Sequence, residues 1–268
     1  MALLETFPVG TTVKIAENGT LAEYLIVHIG LPDSMYDANC DGIWMLRKDL
    51  SETRQWHSSN VNDWANSTLK AYLDSTFLNR FDANVKNVVK TVKIPYRPGS
   101  GASMTVSSGA NGLSCKVFLL SGYEVGFTTS VSQYFPVDGA KLSYFIAGND
   151  VIAQAKRVAN LNGRAADWWL RSPYTNSSAS EWRVGAGGNF GFDLCSSARG
   201  VRPAIILPPD LPVEMQEDGS FNIVPNNTSA RKIVDGVELP AASLKTVGGI
   251  DLECDCYKII DGIELVCT

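Results

Sequence analysis

The feature that most constrains this chain is a bracket of two stiff segments. Trp168-Trp169-Leu170-Arg171-Ser172-Pro173 opens it and Gly200-Val201-Arg202-Pro203-Ala204-Ile205 closes it. The 26 residues between, 174–199, hold five Ser, four Gly, four aromatics, no Lys and no Pro. Bulky apolar residues and Pro suit a fixed frame. Small polar residues mixed with aromatics suit a surface that presents side chains. The contrast predicts buried flanks that hold up an exposed segment, and it points to recognition more than to catalysis.

Composition sets the outer limits. A length of 268 residues suits one large domain, or one domain with an appendage. Hydrophobic content of 45% against 19% charged residues supports an ordinary apolar core. A net charge of -5 leaves no basic stripe to neutralise phosphates, so no nucleic-acid partner is expected. Nothing approaches the roughly 20 apolar residues of a membrane helix, so membrane insertion is not expected. Met1-Ala2-Leu3-Leu4-Glu5 has neither a basic region nor an apolar run, so no signal peptide is expected. The expected route is synthesis in a cytoplasm, with use there or export inside an assembled particle.

Recognisable catalytic chemistry is missing. Cys254-x-Cys256 with Cys267 is the one cysteine cluster, too tight for the usual zinc knuckle and far from either His. Asp37-Ala38-Asn39-Cys40-Asp41-Gly42 reads as half of a calcium loop, but its twelfth position is Lys48, where a bidentate Glu is required. A turn is the expected structure there. His28 lies in an apolar strand and His57 beside Trp56, both as structural histidines. No nucleophile elbow, P-loop or dinucleotide fingerprint occurs. The expectation is therefore no metal, no cofactor, no catalytic residue and no enzymatic activity.

Along the chain, residues 12–16 and 22–29 flank Asn18-Gly19, a strong hairpin signal. Residues 43–47 read as a strand. Residues 62–81 read as a helix, with Trp64, Leu69, Tyr72, Leu73, Phe77 and Leu78 at helical spacing behind the capping candidates Asn60 and Asn62. Residues 85–94 suggest a short helix running into a strand, and 115–120 a buried strand. Further short strands are expected at 168–170, 182–184 and 201–207. Pro208-Pro209-Asp210-Leu211-Pro212 ends the expected main domain, 1–213. In the remainder, 214–268, Arg231-Lys232-Ile233-Val234-Asp235-Gly236-Val237-Glu238-Leu239 nearly repeats as Tyr257-Lys258-Ile259-Ile260-Asp261-Gly262-Ile263-Glu264-Leu265. Each copy predicts a hairpin with Asp-Gly at its turn. Two hairpins bury little alone, so this appendage is expected to dock or oligomerise, with a peripheral ornament as the other possibility.

Three stretches carry a resemblance. They are Trp56-His57-Ser58-Ser59-Asn60 before the segment with Leu73 and Phe77, then Phe118-Leu119-Leu120-Ser121-Gly122-Tyr123-Glu124-Val125, and the bracket itself. Together they resemble a bacterial and phage family of C-type-lectin-fold modules related to the formylglycine-generating-enzyme branch. Some members of that family are variable proteins of diversity-generating retroelements. The resemblance covers roughly residues 5–210, and the bracket is its most specific part. It implies an α+β, C-type-lectin-like fold, here with a short β-hairpin C-terminal appendage. It also implies that the segment inside the bracket is an exposed ligand-binding face, diversified at adenines in some members and fixed in others.

The residues suit that role. Tyr174, Trp182, Phe190 and Phe192 offer large, stiff contact area. Asn176, Ser178, Ser180, Asn189 and Ser197 offer adaptable hydrogen bonds, and Arg183, Asp193 and Arg199 add charge, much as in an antibody paratope. Trp182 fits an adenine-driven history poorly, because an Asn codon does not reach Trp by changing adenines alone. In the flanks, Trp168 and Trp169 are expected as core, and Arg171 and Arg202 as bonded to backbone or to a carboxylate, either Glu124 or Asp167. The function expected is a ligand- or receptor-binding protein of a phage or prophage. It would ride on the virion and meet a host-surface or other macromolecular ligand, protein or glycan, with residues 214–268 joining copies of the chain or other virion proteins. Two alternatives stand beside it. One is a structural virion protein with a decorative lectin fold. The other is a formylglycine-generating-type enzyme, although Cys115 and Cys195 lie far apart in sequence and do not match its paired-cysteine copper site.

Overall fold

Asn18 and Gly19 both take positive φ, 51° and 73°, between the strands Thr12–Glu17 and Thr20–Ile29. That backbone matches the natural twist of paired strands, so the register closes tightly with Glu17 opposite Thr20. The computed structural model describes residues 2–128 and 132–217, with the strands Phe221–Ile223, Arg231–Val234, Val237–Pro240, Tyr257–Ile260 and Ile263–Val266. It divides into two compact units, Met1–Ile223 and Val224–Thr268.

In the first unit the hairpin continues into Ile43–Arg47 and Ala204–Leu207 as a four-stranded antiparallel sheet. Alternation sends Tyr24, Ile26, Ile43, Met45, Ile205 and Leu207 into one apolar cluster. Leu25, Val27, Trp44, Leu46, Ala204 and Ile206 enter a second cluster on the other face. Both faces are covered, which explains why 43–47 and 204–207 read as nearly unbroken apolar runs. Each Ile, Leu, Val and Met among them contributes about 1.5–3 kcal/mol on burial, so this sheet anchors everything attached to it.

The expected long helix is four short pieces. A 3-10 turn, Trp64–Asn66, precedes the α-helix Thr68–Tyr72, a wider π turn Leu73–Phe77 and a 3-10 turn Leu78–Arg80. The cap is Ser67, whose hydroxyl accepts from the Lys70 N–H at 3.1 Å, and not Asn60 or Asn62. The helical spacing of apolar residues survives because Leu69, Leu73 and Phe77 still pack into one core. Residues 85–94 hold the expected helix and strand, at Ala83–Val88 and Val92–Ile94. The strand expected at 115–120 lies earlier, at Leu113–Cys115, paired with Val92–Ile94. Val117 to Leu120 are buried without a ladder, apart from a bridge between Phe118 and Ala204.

The bracket builds a second sheet. Its strands run in the order Phe190–Leu194, Ser180–Val184, Trp168–Pro173, Ala198–Gly200 and Thr53–Gln55. The two halves of the bracket pair directly and in parallel, Trp168 beside Gly200. Gly200 is required there: a Cβ would lie 2.3 Å from Leu50 Cδ1 and 2.7 Å from the Asp167 carbonyl oxygen. The fold is mixed α+β, dominated by sheets.

The expected division at residue 213 falls inside a strand. Pro212–Met215 pairs with Ala2–Leu3 on one side and Phe221–Ile223 on the other, and Val213 is a core residue. The first unit therefore runs on to Ile223. In the second unit each near-repeat pairs as a hairpin, with Val234 opposite Val237 and Ile260 opposite Ile263. The hairpins join side by side through Lys232 and Leu265 into one four-stranded sheet. Cys254, Cys256 and Cys267 lie outside the described residues.

Candidate functional site

All six residues of Trp168–Pro173 are buried, including a full charge. Arg171 binds Glu124 through two bonds of 2.6 Å, Nη1 to Oε2 and Nη2 to Oε1. Its remaining N–H groups donate to the carbonyls of Pro95, Leu119 and Asp138. Glu124 also accepts from the Tyr36 hydroxyl at 2.7 Å and the Ser121 N–H at 2.8 Å. Burial works against the charged guanidinium, but the Glu124 charge and its hydrogen bonds outweigh that and hold Arg171 protonated. Desolvating two ions is offset only when both are bonded this completely. Arg202 needs no carboxylate: it donates to the carbonyls of Arg47, Lys48 and Arg157 and lies over the Trp168 ring. Of the two partners expected for these arginines, Glu124 serves Arg171, while Asp167 sits in a different cluster.

A second buried group holds the presented segment from behind. Asn62 is wholly buried, and its Nδ2 donates to the carbonyls of Tyr174, Ser177 and Ser180 at 3.3, 2.9 and 3.1 Å. Its backbone N–H donates to the Ser178 carbonyl at 2.8 Å. Its Oδ1 accepts from Arg97 Nη2 at 2.9 Å and from the Gly101 N–H at 3.2 Å. One amide therefore pins the turn at 174–180. Sequence reasoning missed this role, and no local signal carried it, because the side chain's partners on the turn lie 112, 115 and 118 residues away.

The expected ligand-binding residues separate into three groups. Trp182 and Ser180 are corrections: they are 2% and 6% exposed and belong to the frame. The Trp182 ring stacks on Phe135 with centroids 3.8 Å apart, and its Nε1–H donates to the Tyr134 carbonyl. The Ser180 hydroxyl bonds that of Ser177. A second group is outward. Asn176, Ser178 and Asn189 are exposed, and Phe192, 49% exposed, stacks on half-buried Tyr174 with centroids 4.1 Å apart. Phe190 is half-buried against Phe127 and Phe135.

The third group lies on the opposite face of the sheet, where the charges pair with one another. Arg183 Nε and Arg199 Nε reach the same Asp193 oxygen at 2.7 and 2.8 Å, and Arg183 Nη1 reaches Asp167 at 3.0 Å. Partial burial pushes the Asp193 carboxyl up, but the hydrogen bonds from Arg199 and Arg183 win and hold it below the usual range. Half-buried Ser197 closes the following turn by donating its N–H to the Leu194 carbonyl at 2.8 Å.

Glu181 stands apart. It is fully buried, and neither carboxyl oxygen has a hydrogen-bond partner among the described residues. Burial pushes its carboxyl well above the usual range, with the Arg97 charge opposing. Arg97 Nε is also without a partner. Cys40, Cys115 and Cys195 are free thiols, all buried, and burial raises each of them. Among the described residues no group of three His, Cys, Asp or Glu side chains is placed to hold a metal ion, and no helix is long and apolar enough to cross a membrane.

A family model described as a domain of unknown function matches residues 41–209, more than half of the chain. No curated protein and no solved structure matches it.

Proposed function

The chain belongs to the DUF6273 family, and we propose that it is a recognition protein that presents a ligand-binding face on a C-type-lectin-like scaffold. The observation that carries this reading is the contrast across the turn at 174–180. Its backbone is pinned from inside by Asn62, while the side chains of Asn176 and Ser178 and the Tyr174–Phe192 stack look outward. A backbone held in place loses little entropy on binding, and stacked aromatics beside small polar groups are the chemistry of a recognition surface.

The ligand class in this reading is a host-surface protein or glycan, met by a phage or prophage protein carried on the virion. The second unit serves docking or oligomerisation. A diversified face is compatible with Trp182, because that residue is frame and need not have arisen by adenine change. Variation would fall on Asn176, Ser178, Asn189 and Phe192.

Binding of the labelled full chain to intact bacterial cells and to an array of bacterial-surface glycans tests the reading. Tyr174→Ala with Phe192→Ala, and separately Asn176→Ala with Ser178→Ala, are expected to weaken binding more than about tenfold. Unchanged binding by both variants would overturn the placement of the face. The neighbouring DNA tests diversification: a near-copy of the stretch coding for 168–202 should differ at adenines in codons for exposed residues and keep the Trp182 codon.

A further inference from the structure

The strand Phe190–Leu194 is the outermost of its sheet and pairs on one side only, with Ser180–Val184. Just beyond that pairing, Gly185 N–H donates to the Asn189 carbonyl and Cys195 N–H to the Ala179 carbonyl. In an antiparallel ladder, bonded and non-bonded pairs alternate. The bonded pairs are therefore Arg183 with Gly191 and Glu181 with Asp193. The N–H and C=O groups of Phe190, Phe192 and Leu194 point away from the sheet. No hydrogen bond from their N–H groups occurs among the described residues. The same three residues carry apolar side chains on one face, with Phe192 49% and Leu194 48% exposed. An edge with both open rungs and open apolar side chains is a template for another strand.

We propose that this edge pairs antiparallel with the same strand of a second copy of the chain, about a two-fold axis at Phe192. Three observations select a second copy over a foreign strand. First, the open rungs are symmetric: an axis at Phe192 sets Phe192 against its own counterpart and Phe190 against the second copy's Leu194, every pair using outward groups. The Leu194 carbonyl also accepts from Ser197 N–H and the Phe190 carbonyl from Asn189 Nδ2 at 3.4 Å, and the second lone pair of each serves the new rung. Second, the apolar face continues across the junction. The two Phe192 rings become cross-strand neighbours, each already stacked on its Tyr174.

Third, the charged face is self-complementary. The same register sets Asp193 opposite the second copy's Gly191. Gly191 has no side chain, and the Arg183 guanidinium lies against it: a Cβ there would be 3.1 Å from Arg183 Cζ. Each Asp193 thus arrives beside the other copy's Arg183, and the relation is reciprocal, as an isologous contact demands. The outcome is one continuous sheet through two copies, with two 174–180 turns displayed together and effective affinity for a repeated surface ligand raised accordingly.

The pairing does not rest on the recognition reading: a chain that dimerises here and binds no surface probe leaves it intact. Sedimentation equilibrium of the full chain over a wide concentration range tests it, with amide hydrogen exchange alongside. The expected result is a self-association step weakened roughly 100-fold or more by Phe192→Lys with Leu194→Lys, charges that block edge pairing. Thermal melting of the double variant confirms that it folds, since both positions are surface. Exchange at the Phe192 and Leu194 amides is expected to slow as concentration rises, while Gly191 and Asp193, already bonded within the sheet, stay unchanged. A wild-type chain that never associates overturns the proposal. So does an association indifferent to the double variant, or one that leaves the Phe192 amide unprotected.

Discussion

Trp182 and Phe192 face each other across one strand pair, on the same side of the same sheet. One is 2% exposed and the other 49%. Both are aromatic and both lie in the segment whose composition suggested a presented surface. The difference is distance from the edge. Trp182 sits one strand further in, where Phe135 stacks over it at 3.8 Å, whereas Phe192 sits on the last strand, with Tyr174 stacked on it and the Trp182 ring meeting it edge-on, and its outer side open. A stretch of even composition therefore divides into frame and face by position in the sheet and not by residue type.

Five substitutions put this difference between frame and face to the test. The largest effect is expected at the frame's charge. Arg171→Met strands Glu124 in the core and should cost about 3–5 kcal/mol in denaturant unfolding; a cost under about 1 kcal/mol would mean the pair does not hold the bracket. Next, Trp182→Ala should cost about 3–5 kcal/mol, while Phe192→Ala should stay within about 1 kcal/mol. Equal losses in the two melts would erase the distinction between frame and face.

Asn62→Ala tests the clamp. It removes the amide donor to three carbonyls of the turn and should cost about 1–3 kcal/mol. Faster amide exchange should follow across 174–180 but not across 190–194, and a uniform change would show that the turn is held by something else. The smallest effect is a slope. Burial raises both Glu181 and Asp138, the latter to about 7. In the unfolded chain both ionise near pH 4. Between those values the folded state binds more protons than the unfolded one. Their contribution is therefore fully present below about pH 4 and is lost as pH rises, for Asp138 through about 7. Glu181→Gln should make urea stability fall less, as pH rises above the ordinary carboxylate range, than it does in the wild type. An unchanged slope would place the titration elsewhere.

Legibility in the sequence followed the range of the interactions. The Asn18-Gly19 turn, the two Asp-Gly hairpins and the apolar runs at 43–47 and 204–207 depend on neighbours a few positions apart, and they were readable. The helix at 62–81 was readable in its apolar spacing but not in its breaks, because the same residues reach the core from several short turns. The partner choice of Arg171 between Glu124 and Asp167 was open, since both are acidic and only geometry separates them.

Composition along the chain is enough to set the contrast of the bracket: flanks too apolar to lie anywhere but inside, and a segment between them rich in small polar groups and aromatics. Tertiary structure alone decided which members of that segment reach solvent. It put Trp182 and Ser180 inside, left Asn176, Ser178 and Phe192 outside, and assigned Asn62 to pin the turn from more than a hundred positions away. The reason is physical. Burial and polar pairing are set by which surfaces the folded chain brings together, and composition along a strand carries no information about what will be laid over it.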